Sequence, residues 1–255
     1  MKNVKKIVAL LLCAVLLVAG SVAGTIAYLT SQDEAVNNFT VGQVKITLDE
    51  AKVDKTGKPI DGAERVQSND YHLLPGQSYV KDPTVHVTKG SEDCYVRMFV
   101  TITHSEEWDE ICDAHKEEGT TTNLFGAEDM FTELSGDWVL KGNYKNKAGT
   151  DTNTRTYEFW YKDKVTNVAK DTDTNLPALF KGIEMPNELT NEDLAKLADN
   201  PESKDVDEGF KIYIVAQAIQ SEGFNNSGEA FGAAPKIEGD DLMPTIENKD
   251  TTTTQ

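Results

Sequence analysis

The sequence predicts a mostly β fold, a β-sandwich with short helical insertions behind an N-terminal signal peptide. Three observations support this. Apolar and polar residues alternate with period two in VKITL (44–48), YVRMFVTIT (95–103) and FKIYIVAQAI (210–219), the pattern of strands with one or both faces buried. Turn signals such as Asp61-Gly62 and Leu74-Pro75-Gly76 separate such runs. The long strand–helix alternation of a parallel α/β fold is missing.

In chain order, residues 36–50 read as a first strand, with Val44, Ile46 and Leu48 facing the core. Residues 51–72 are polar and rich in turn signals, and TVHVT (84–88) is a short β-branched strand. Residues 95–103 predict a central strand: Val96, Met98, Val100 and Ile102 share one face, and Tyr95, Arg97, Phe99 and Thr101 the other. Ser105 is placed to N-cap a short helix, with Trp108, Ile111 and Cys112 on one side and Gly119 as its stop. Residues 123–134 predict a further helical turn, and DWVLK (137–141) with TYEFWYK (156–162) a strand pair. Thr190 opens a second helix, Asp193 completing its capping box and Leu194, Leu197 and Ala198 facing inward. Residues 210–219 form the last strand, and residues 235–255, acidic and Thr-rich, are expected to be a disordered tail.

The start of the chain has the build of an export signal. Lys2, Lys5 and Lys6 precede an uncharged apolar run, Ile7 to Ala19, and then the small residues GSVAGTIA. These offer two cleavage contexts, after Ala23 or after Ala27; the signal peptide is assigned to residues 1–27, the folded domain to 28–234 and the tail to 235–255. An uncleaved anchor is the competing reading, since Ile7 to Leu29 is long enough to span a bilayer. Formal net charge is −18, and −21 once the three leader lysines are set aside. Such a surface suits a solvated extracellular protein and repels nucleic acid, for which a basic patch with interleaved aromatics is also missing. No C-terminal sorting motif or apolar terminal helix is seen, so no mature membrane or wall anchor is expected.

Three stretches, in order, carry a resemblance to a known family. Residues 24–48 contain an Ala27-Tyr28-Leu29-Thr30 junction, followed by Asn37, Phe39, Thr40, Gly42, Val44 and Ile46 at the spacing N-x-F-T-x-G-x-V-x-I. Residues 73–102 contain LLPGQSYVK and then CYVRMFVTI. EFWYK (158–162), LPALFKGI (176–183) and IYIVAQAIQSEGF (212–224) follow. Together they resemble the SipW-dependent exported proteins of the TasA and camelysin family, over most of residues 20–225. The resemblance implies a jelly-roll sandwich, signal cleavage at Ala27–Tyr28, and residence on the surface or in the biofilm matrix of a Gram-positive-type bacterium. It also implies self-association, in which the segment from Tyr28 to about Leu48 pairs with the sheet edge of another copy, with Phe39, Val41, Val44 and Ile46 as anchors. The competing reading makes this segment the first strand of its own sheet, because exchanged and ordinary strands share one residue pattern. Expected partners are the chain itself, other matrix or surface proteins, and the signal peptidase during export.

Catalytic chemistry is not legible. Camelysin has been classed as a metallopeptidase, yet His72, His86, His104 and His115 form no His-Glu-x-x-His. No nucleophile elbow, phosphate-binding loop or dinucleotide fingerprint occurs, so no enzyme, catalytic residue, resident metal or cofactor is expected. Cys94 and Cys112 favour a disulfide in an exported chain; free thiols come next, and zinc held with His104 and His115 last. Asp171-Thr172-Asp173-Thr174-Asn175 opens like a calcium loop but has Leu176 and Gly182 where Gly and Glu are needed. There, or at Asp205, Asp207 and Glu208, a solvated acidic loop is favoured over weak calcium binding. The leading function is a structural surface or matrix subunit. The alternatives are a monomeric adhesin presenting its helical insertions and, last, a camelysin-like peptidase.

Overall fold

The computed structural model describes residues 30–33, 44–118, 124, 126–145, 153–166, 171–198 and 209–243. Its strands are β1 (Thr30–Asp33), β2 (Ile46–Asp49), β3 (Ser78–Val80), β4 (Thr84–Val87), β5 (Cys94–Thr103), β6 (Phe131–Thr132), β7 (Trp138–Lys145), β8 (Thr154–Tyr161), β9 (Thr174–Asn175), β10 (Gly182–Glu184) and β11 (Ile212–Gln220). The α-helices are α1 (Ser105–Ala114), α2 (Asn191–Lys196) and α3 (Ser227–Ala233). Among the described residues the strands form three antiparallel sheets: one in the order β1-β11-β5-β8-β7, and two smaller ones, β3-β10-β6 and β2-β4-β9.

Strand β5 organises the rest. It pairs with β11 over nearly its full length, in register from Cys94↔Gln220 to Ile102↔Ile212, and with β8 from Arg97↔Trp160 to Thr103↔Thr154. Because strand side chains alternate between faces, Cys94, Val96, Met98, Val100 and Ile102 project together, and all five are fully buried. They share one core with Val44, Ile46, Val85 and Val87 around β2 and β4, and with Tyr79, Phe131 and Ile183 of β3, β6 and β10. Both small sheets therefore contribute to the core on the same face of the large one.

The opposite face of β5 is also covered. Phe99 and Val215 pack against Ile237 and Leu242, and Ile219 against Ala230 and Phe231 of α3. This corrects the expectation of a tail beginning at residue 235: Ile237 and Leu242 are 1% and 0% exposed, and the packed chain runs at least to Leu242. Those two apolar side chains remove Phe99 and Val215 from water, which outweighs the cost of ordering an otherwise acidic segment. Beneath this strap lies a buried polar network. Arg97 donates to Glu158 Oε1 at 2.8 Å and to Gln217 Oε1 at 2.7 Å. Glu158 also accepts from Trp160 Nε1 and Tyr144 Oη. The Arg97 guanidinium sits 4.9 Å from the Phe99 ring centre and 4.6 Å from that of Phe231, so cation–π contacts add to the ion pair.

Local signals account for most of the remaining elements. The Thr190–Asp193 capping box forms as its residues predict and starts α2, although Ala198 is exposed rather than inward. Helix α1 starts differently from expectation. Its N-cap is His104, in a left-handed conformation with φ 55° and no side-chain cap, while Ser105 is buried as the first helical residue. The cap comes from afar: Asn153 Oδ1 accepts from the Glu106 N–H at 2.6 Å. Gly119, the expected stop, lies outside the described residues, and the helix ends at Ala114. Strand β7 is a sheet edge with a bulge between Leu140 and Gly142, and Lys141 at that bulge is a device that discourages edge pairing.

Two substitutions test this packing. Met98→Ala removes a fully buried side chain and is expected to cost about 2–5 kcal/mol in urea unfolding. Glu158→Ala leaves Arg97 buried without its carboxylate and is expected to cost about 3–5 kcal/mol, with Tyr144→Phe costing far less.

Candidate functional site

A groove of roughly 570 Å³ opens between the end of β2, the polar segment around residues 67–73 and the start of β11. One wall runs from Phe210 and Lys211 into β11 as far as Ile214. Pairing explains why the wall is open. Strand β1 pairs with β11 only from Thr30↔Ile219 to Asp33↔Ala216. Among the described residues no strand continues alongside Ile212–Val215 on that edge.

The other wall is polar and closely tied. Glu50, 3% exposed, accepts from Lys81 Nζ at 2.6 Å through Oε2 and from Asn69 Nδ2 at 2.8 Å through Oε1. Asn69 is fixed at two further points: its Nδ2 donates to the Ala51 carbonyl at 2.9 Å, and its Oδ1 accepts from the Val53 N–H at 2.9 Å. Tyr71 closes one side, its ring centre 5.5 Å from Lys81 Nζ, and stacks edge-on against Tyr79. Burial pushes the Tyr71 phenol well above its ordinary range, and the Glu50 charge adds to the shift. Nearby, Arg65 bridges Asp49 and Asp82, and His86 Nε2 meets Asp49 at 2.9 Å. These interactions pin the end of β2 to β4. Nothing in the sequence pattern singles out Glu50, Asn69 and Lys81, which sit in polar, turn-rich surroundings. Only the pairing of β2 with β4 and the bridge between Glu50 and Val66 bring them together.

The expected site residues fare unevenly. Ala27, Tyr28, Phe39 and Val41 lie outside the described residues, as do Asp205, Asp207 and Glu208. Val44 and Ile46 are each 1% exposed and belong to the core of their own chain. Cys94 and Cys112 are free, buried thiols, not a disulfide. Geometry explains this: β5 carries the chain about 30 Å from Cys94 to Thr103, and the helical return to Cys112 recovers only about 10 Å, far outside disulfide reach. His104 and His115 make other contacts. The first meets Thr103 Oγ1 and the second meets Asp193 Oδ2. Among the described residues no cluster of three or more His, Cys, Asp or Glu is arranged to hold a metal. Asp173 caps the Lys89 N–H, and Thr174–Asn175 form β9, so that segment is built as a strand entry.

Comparison with known proteins returns no matching family model, no matching curated protein and no matching solved structure.

Two measurements follow from the titrating groups. Burial pushes the Cys94 thiol up to about 12 and the Cys112 thiol up to about 11, so neither is a thiolate at neutral pH. Both are expected to resist a thiol-selective disulfide reagent in the native protein and to react on unfolding. For Asp193, burial opposes ionisation, but hydrogen bonds from the Thr190 N–H, the Thr190 hydroxyl and His115 outweigh it and hold the carboxyl down at about 2. A depressed folded value stabilises above the unfolded value near 3.8 and is lost as pH falls through about 2. Urea midpoints taken from pH 5 to pH 2 are therefore expected to fall more steeply for the native chain than for Asp193→Asn.

Proposed function

We propose that this chain is an exported structural subunit of a bacterial surface or extracellular matrix, a jelly-roll sandwich that associates with its own copies by N-terminal strand exchange. One observation carries the reading. The strand just beyond the Ala27–Tyr28 junction, β1, lies on the outer edge of the large sheet and pairs with four of the nine residues of β11. An edge strand held by so few pairs is easily traded for the same strand of a neighbour, since the same residues pair in either arrangement. Residues 34–43 join β1 to Val44 and have a maximal reach of about 33–36 Å, enough to take β1 to a neighbour while Val44 and Ile46 stay in their own core. The exchanged piece is thus shorter than the Tyr28–Leu48 segment outlined above. Phe39 and Val41 belong to the connecting segment in the sequence. Main-chain hydrogen bonds along β11 supply affinity in such an association, and the groove selects side chains. The acidic surface, near −21 after export, keeps free subunits apart and makes assembly depend on ionic strength.

Negative-stain electron microscopy of the chain beginning at Tyr28 tests the reading. Filaments are expected on concentration at moderate salt, and removal of residues 28–36 is expected to leave single particles. Single particles from the intact chain under every assembly condition would overturn it.

A further inference from the structure

We propose that Lys81 and Asn69 become joined by an amide bond, formed within the folded chain with Glu50 as the proton carrier. The reacting groups are already assembled. One buried carboxylate holds the amine through one oxygen and the carboxamide nitrogen through the other, at 2.6 and 2.8 Å. The orientation of the carboxamide follows from its partners. The Val53 N–H requires an oxygen opposite it, and the Ala51 carbonyl and the Glu50 carboxylate require the nitrogen. The Val53 N–H therefore polarises the carbonyl of Asn69 and is aimed at the oxygen that would take up negative charge on attack. Tyr71 and the body of the domain wall the site, and Lys81 is only 7% exposed. Held on the two oxygens of one carboxylate, the amine and the carboxamide have the advantage of an intramolecular process.

The step balances without any co-reactant. Lys81 Nζ, having passed a proton to Glu50, attacks Asn69 Cγ; the Nζ–Cγ bond forms and the Cγ–Nδ2 bond breaks. Of the three ammonium protons, one remains on the new amide nitrogen and one reaches Nδ2 through Glu50 to complete ammonia. The third rests on Glu50 until the departing ammonia carries it away as ammonium. No atom changes oxidation state. Glu50 touches both nitrogens and is the catalytic residue; Val53 contributes a backbone donor.

The product would tie the polar segment before Tyr71 to the corner between β3 and β4, beside the groove. Cys94 and Cys112 stand too far apart to provide such a link, so this bond would be a covalent lock compatible with their free thiols. The inference does not depend on filament formation.

Intact mass and peptide mapping of the purified, folded chain in denaturant decide the matter. The expected mass is about 17 Da below that of the sequence, the loss of one ammonia, with the Asn69 peptide found linked to the Lys81 peptide. Glu50→Gln, Lys81→Met and Asn69→Ala are each expected to restore the mass of their own sequence. A native chain carrying its full sequence mass would overturn the proposal whatever the variants do. So would a deficit that persists in Lys81→Met, which would mark succinimide formation at an asparagine instead.

Discussion

The whole arrangement rests on a strand that cannot face water on either side. Every second residue of β5, from Cys94 to Ile102, is fully buried on one face, and Phe99 and Thr101 are equally buried on the other. A ten-residue strand of this kind needs cover twice over. The small sheets provide it on one side. On the other, α3 and the chain to Leu242 do so, with Arg97 and Glu158 paired beneath Phe231. The strap is therefore part of the domain, although its composition is that of a tail.

Much of this was legible in the residues because it depends on short-range periodicity. The alternation in 95–103 and 210–219 specified two central strands, and Thr190 with Asp193 specified the start of a helix. What was not legible depends on distant partners. Asn153 caps α1 from just before the start of β8, and no local pattern announces that. Ile237 and Leu242 look incidental until Phe99 and Val215 are seen to need them. The cysteine pair illustrates the converse. Composition and compartment favoured a disulfide, but a long strand between the two residues separates them by more than a disulfide can bridge.

The candidate site shows the same division. The pattern around Val44 and Ile46 marked a strand-forming N-terminal region, yet could not say what its residues pair with. In the structure Val44 and Ile46 sit in the core, and β1 lies on the edge of β11. Glu50, Asn69 and Lys81 carry no periodic signal at all. Their meeting follows from the β2–β4 register and from the hydrogen bonds that hold Asn69 to Ala51 and Val53. A covalent lock there would hold one wall of the groove in place without calling on Cys94 or Cys112, both free thiols.

The central claim is that β1 passes between copies, and cysteine pairing across its register tests it most directly. Ser31 and Ala218 are opposed in the β1–β11 pair, and opposed residues in an antiparallel pair lie about 4.5–5.5 Å apart at Cα, within disulfide reach. Chains carrying Ser31→Cys alone and Ala218→Cys alone would be mixed, assembled and oxidised. The account predicts disulfide-linked pairs containing one chain of each kind. Bonds that form only within single chains carrying both substitutions, and never between mixed copies, would contradict it.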